Sequence, residues 1–249
     1  MKTLVVFLIA FFTLTSCGLI KNLTGSKEEK KDGKTEKKEE VKTEEKKEPI
    51  ESVSKGGSDD IVVKDFNKSD LTSDIKYQGS IVSGKRWTDK NGENIVILTL
   101  TKIHNSKKDS FNGDYSHAQE LYAYQYVKKS EGWSQLWKIN DFIEDCPLDL
   151  TLEFIGGSLS VTDLNKNGIG ETTFLYKMAC RGDVSPCDLK LMMHEGDIKY
   201  AIRGTMKLKV QNESYGGEYK VDKSFDSAPK GFLDYAKEQW EKYKTEKLN

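Results

Sequence analysis

Glu120-Leu-Tyr-Ala-Tyr-Gln-Tyr-Val127 alternates its side chains with a period of two, and this periodicity limits the folds open to the chain more than any other feature. In an extended strand it puts Tyr122, Tyr124 and Tyr126 on one face and Leu121, Ala123 and Val127 on the other. Further short segments read as strands: Ile75–Val82, Ile95–Ile103, Trp133–Ile139, Leu150–Phe154, Leu159–Val161, Thr172–Met178, Leu189–His194, Ile198–Arg203 and Met206–Val210, with Ile95–Leu100 apolar on both faces and so expected at the centre of a sheet. Between them stand glycine-bearing turns, among them Lys90-Asn-Gly92, Ser130-Glu-Gly132, Gly156-Gly157 and Glu195-Gly-Asp197. The expectation is a mainly β fold, an antiparallel meander of partial-propeller or sandwich form. Only the end differs: Ser227-Ala-Pro229 opens a helix with Phe232, Leu233, Ala236, Trp240 and Tyr243 on one face, placed to cross the sheet or cover an edge.

The 249 residues divide into three parts. In residues 1–16, Lys2 precedes the apolar run Leu4–Phe12, which is too short for a permanent membrane span and reads as an export signal. Leu14-Thr-Ser-Cys17 resembles the bacterial lipobox, which implies cleavage before Cys17, its acylation, and anchoring to a bacterial membrane, the outer one being favoured. An ordinary signal peptide with an incidental cysteine is the alternative. Residues 17–60 are nearly all Lys, Glu, Asp, Gly, Ser and Thr, so they form a disordered spacer that would hold the domain roughly 30–40 Å from the membrane. Residues 61–249 form a single mostly β domain with the C-terminal helix. The net charge of −1, with lysines interleaved among glutamates, excludes a nucleic-acid partner.

The most chemically pointed stretch is Val161-Thr-Asp-Leu-Asn-Lys-Asn-Gly-Ile-Gly-Glu171. Asp163, Asn165, Asn167 and Glu171 place oxygens at the first, third, fifth and ninth positions of a short loop, Gly168 permits a sharp turn, and the Ile169 carbonyl adds a further donor. A hard cation, calcium, is the expected ligand, in a structural role; only two of the ligands are charged, which sets affinity on the order of 10⁻⁴ to 10⁻³ M. The loop is similar to the calcium loops of integrin-type propeller repeats, but a single copy is present. Export makes a disulfide the expectation among Cys146, Cys180 and Cys187. Cys146 with Cys180 is preferred because it ties two strand ends together; Cys180 with Cys187, or reduced thiols, remain open.

Glu120-Leu-Tyr-Ala-Tyr124, Asp145-Cys-Pro-Leu-Asp149, Thr162-Asp-Leu-Asn165, Cys180-Arg-Gly-Asp-Val-Ser-Pro186 and Lys199-Tyr-Ala-Ile-Arg-Gly204 resemble a family of bacterial lipoproteins labelled as surface-polysaccharide biosynthesis proteins. The resemblance implies a process and supplies no catalytic residues. It leads to a non-enzymatic accessory or binding module, partnered by surface polysaccharide or envelope proteins. The alternatives are a glycan-active enzyme using the carboxylates of Glu144, Asp145 and Asp149, and a purely structural lipoprotein. His104, His117 and His194 read as surface or turn residues, and Arg181-Gly-Asp183 as a turn fixed by its own side chains. Aromatic residues on a strand usually cover one side of a sheet, so packing is the first reading of the Tyr122, Tyr124 and Tyr126 stripe; if it faces solvent it is a candidate glycan-stacking surface.

Overall fold

The structure is a computed structural model that describes residues 61–106 and 116–246. The expected signal segment, Cys17 and the expected spacer lie outside the described residues. Among those described, the strands gather into two six-stranded sheets and a three-stranded one, with no closed barrel or propeller.

The first sheet holds β1 (Val62–Asp65), β2 (Ser80–Asp89), β3 (Gly92–Leu100), β4 (His104–Asn105), β5 (His117–Lys129) and β6 (Gly132–Cys146). Its order is β1-β2-β3-β5-β4, with β6 on the other edge of β5. The second holds β7 (Asp149–Phe154), β8 (Ser160–Thr162), β9 (Glu171–Arg181), β10 (Asp188–Glu195) and β11 (Ile198–Thr205). Two further strands, β12 (Lys207–Val210) and β13 (Glu213–Gly216), precede β14 (Tyr219–Val221), which completes the second sheet in the order β14-β11-β10-β9-β7, β8 also pairing with β9. The helix α1 (Phe232–Tyr243) leads into β15 (Thr245–Glu246), which pairs in parallel with β12 in the small sheet.

Period-two alternation builds three apolar layers from these strands. Val96, Leu98, Leu121 and Ala123 of the first sheet meet Leu152, Phe174, Tyr176 and Met192 of the second, forming the seam of a sandwich. The opposite face of the second sheet, with Leu175, Leu191, Met193 and Ile202, receives Phe232, Ala236 and Trp240 of α1. The opposite face of the first sheet, with Ile95, Ile97 and the three tyrosines, is covered by Phe66, Leu71 and Ile75 from the segment between β1 and β2.

Several boundaries differ from expectation; the strand expected to run to Ile103, for one, ends at Leu100. Residues 75–79 are not strand: Ile75 is buried as a plug against the tyrosines, and its apolar character served that contact. Strand β6 runs on to Cys146 because its polar residues still pair with β5. The helix begins at Phe232 after a left-handed Gly231, while Lys223–Ser227 forms a separate 3-10 turn. Across the seam, the sulfurs of Cys146 and Cys180 are bonded at 2.13 Å, joining the end of β6 to β9, and Cys187 is free and buried.

Candidate functional site

The loop between β8 and β9 is folded by its own side chains. Asn165 Oδ1 accepts the backbone N–H of Asn167 at 3.0 Å, Asn167 Oδ1 accepts that of Ile169 at 2.8 Å, and Asp163 Oδ2 accepts that of Gly168 at 3.0 Å. Gly168 has φ of 78°, the left-handed turn the spacing required. The loop therefore brings Asp163, Asn165, Asn167, Ile169 and Glu171 into one compact turn.

Its electrostatics are unbalanced. Glu171 is fully buried; its carboxylate accepts from Thr162 Oγ1 at 2.9 Å and from Leu164 N–H at 3.0 Å. Burial nevertheless pushes its pKa up to about 7, and the nearby Glu195 and Asp163 add to the rise. Asp163 Oδ1 is buried with no hydrogen-bond partner. Glu195 stands directly opposite Glu171 in the β9–β10 register, a like-charge pair that is destabilising unless something neutralises it. The amides of Asn165 and Asn167 both donate to Glu195 Oε1 at 2.7 Å. Carboxylate and amide oxygens with an unsatisfied negative charge are a donor set suited to a hard cation, so the residues present fit one. Among the described residues no cluster of three or more His, Cys, Asp or Glu is preassembled around a metal position, and a loop relying on Asn and backbone oxygens would not form one.

The tip of the β2–β3 hairpin docks on this loop from the first sheet. Lys90 N–H donates to Gly168 O at 2.9 Å, and Lys90 Nζ donates to Asn167 O. Asp89 Oδ2 accepts from both Trp87 Nε1 at 2.8 Å and Gly170 N–H at 3.0 Å. The fit is close: a Cβ on Gly170 would stand 2.5 Å from Trp87 Nε1, and one on Gly168 2.6 Å from Lys90 Cε. Asp89, Lys90 and Glu195 were not singled out from the sequence. Lys90 and Glu195 read only as turn residues and Asp89 carries no signal, and only the register and the meeting of two sheets give each a role.

The tyrosine stripe takes the packing reading, and its conditional role in glycan stacking is withdrawn. Tyr122, Tyr124 and Tyr126 are 8%, 2% and 3% exposed. Gln78 N–H donates to Tyr124 OH at 3.1 Å and Tyr126 OH donates to Lys76 O, so the covering segment is fastened over the rings. The stripe is core, and no glycan reaches it in this fold. His194 is likewise not a surface residue: it is buried, its ring stacked 4.2 Å from that of Trp137, and burial drives its pKa down to about 3. His104 and His117 are exposed as expected. Glu144 and Asp149 point to solvent and Asp145 accepts from Ser106 Oγ, so these carboxylates do not converge on a cleft. Asp183 Oδ1 accepts Ser185 N–H at 3.0 Å and Arg181 donates to Ser185 O, fixing the turn anticipated there.

Comparison with family models, with curated proteins and with solved structures finds no match to this chain.

Proposed function

We propose that the chain is an exported protein anchored by acylated Cys17 in a bacterial membrane, the outer one where two are present. Its domain from residue 61 serves as a non-enzymatic accessory or binding module for surface polysaccharide, with calcium held structurally by the loop from Asp163 to Glu171. The observation that carries this reading is the bonded pair Cys146 and Cys180, because a disulfide across the sandwich seam belongs to an oxidising compartment. The lipobox-like Leu14-Thr-Ser-Cys17 and the charged spacer supply the route and the reach. The process comes from the motif resemblance described above.

Asp163, Asn165, Asn167, Glu171 and the Ile169 carbonyl would hold the ion, which would supply positive charge where burial otherwise disfavours the ionised Glu171 carboxylate.

Metabolic labelling with palmitate should mark the wild-type protein and not Cys17→Ser, and loss of the protein should change the amount or attachment of surface polysaccharide in the producing cell. An unlabelled wild-type protein and an unaltered polysaccharide would overturn the reading. For the ion, the melting temperature should rise by several degrees between micromolar and millimolar calcium and fall on chelation. Asp163→Asn should abolish that response; a melting curve indifferent to calcium would refute the assignment.

A further inference from the structure

A cleft of about 690 Å³ opens between the two sheets, lined by residues of β2, β3, β7 and the turn that follows β7. Its walls are two strand edges. Strand β2 pairs with β1 only from Lys85 to Thr88, so Ser80–Gly84 has no partner on that side among the described residues. Strand β7 is the terminal strand of the second sheet, pairing with β9 alone. The floor is apolar, from Leu98, Leu100 and Leu159, and the rings of Phe66 and Phe154 stand at its sides. Around the rim, Lys85 is paired with Asp65 at 3.3 Å and Glu153 with Lys177 at 3.0 Å. A second recess of about 370 Å³ continues past Glu153, Phe154, Ile155 and Gly156 toward the helix, so the groove wraps the end of β7.

We propose that this groove is the glycan-binding site of the domain and takes a short stretch of uncharged saccharide; the inference rests on the surface-polysaccharide reading and gives it a location. Its size is that of a small-ligand site, and its composition is that of a sugar site: aromatic and aliphatic surface for ring C–H groups, and ion-paired side chains offering donors and acceptors to hydroxyls. Each rim carboxylate has its own ammonium, Asp65 with Lys85 and Glu153 with Lys177, so the rim carries no net positive charge to draw a polyanionic glycan. An added peptide strand is disfavoured too. The β2 register slips between Ile81 and Ser83, leaving Val82 bulged out and half exposed, and such a bulge breaks the ladder that strand addition needs.

Gly156 provides a clean test, because a Cβ there meets nothing within 4 Å and its backbone is not left-handed. Full-length protein in detergent is titrated by calorimetry with uncharged tetrasaccharides built on glucose, galactose, mannose and N-acetylglucosamine, with polygalacturonate as acidic probe and an extended hydrophobic peptide as strand probe. At least one neutral tetrasaccharide should bind, and Gly156→Trp should weaken it by at least about tenfold at an unchanged melting temperature. Lys85→Gln, which leaves the groove open, should weaken it less. Neutral-sugar binding unaffected by Gly156→Trp would overturn the groove as the site and leave the polysaccharide reading standing. Binding of polygalacturonate or the peptide alone, blocked by Gly156→Trp, would overturn the ligand class. No saccharide binding by folded protein would overturn the site and the polysaccharide-binding reading together.

Discussion

Asp141 is the residue at which charge holds the sandwich together. It leaves β6 to accept from Tyr176 OH at 2.8 Å on β9 and from Lys190 Nζ at 2.5 Å on β10. Burial pushes its pKa up, but hydrogen bonds from Lys190 and Tyr176 outweigh this, and the net shift is downward from 3.8. A carboxyl whose folded pKa lies below its unfolded value binds fewer protons when folded. Its stabilisation is complete above the unfolded value and disappears as pH falls through the folded one. Asp141→Asn should therefore lose about 1–3 kcal/mol at neutral pH, with the gap to wild type closing below about pH 4 in urea titrations. Cys187 makes a different prediction. Burial, then Glu246, raises its thiol to about 11, so a maleimide should leave it unmodified in the native protein and label it once urea unfolds the chain, as read by peptide mass. Neither environment was legible beforehand. Leu189-Lys-Leu-Met-Met-His194 shows which side chains share a face, but not that Lys190 would find a carboxylate, or His194 an indole, on a strand far away in sequence.

At the scale of elements, the hairpin of β2 and β3 and the loop of β8 and β9 behave as one unit. Asp89 accepts three hydrogen bonds, from Trp87 Nε1, Asn91 N–H and Gly170 N–H, so Asp89→Ala should destabilise by about 2–4 kcal/mol in urea unfolding, beyond the usual effect of a turn substitution. Gly170→Ala should cost about 1–3 kcal/mol because its methyl group would meet the Trp87 indole, and Trp87→Phe should recover part of that loss. The ligand pattern of the loop was readable from Asp163 to Glu171 because its donors are local. Its partners were not, since Lys90-Asn-Gly92 signalled a turn and nothing about what the turn touches. The segment 75–79 shows the reverse failure: apolar residues fit a strand and a plug equally well, and the choice was made by three tyrosines that needed covering.

For the whole molecule, the bond between Cys146 and Cys180 closes a loop with a sequence separation of 34 residues. Replacing both cysteines by alanine should cost about 3–4 kcal/mol on chain-entropy grounds, measurable as a shift in the unfolding midpoint. The choice between the pairings open in the sequence follows from strand parity. Ala179 and Cys187 pack toward the helix, while Tyr176 and Met178, whose face Cys180 shares, pack toward the first sheet. Mainly β architecture and the terminal helix were legible because they depend on local periodicity. The facing of the sheets was not, because it depends on pairings such as β5 with β6 and β9 with β10 that no short window contains. The first described strand carries a mechanical consequence. β1 is an edge strand of four exposed residues, joined to β2 by the pairs from Val62–Thr88 to Asp65–Lys85. Tension along the chain preceding Val62 would load the seat of Ile61 against the seam and these four pairs before any other strand of the sandwich.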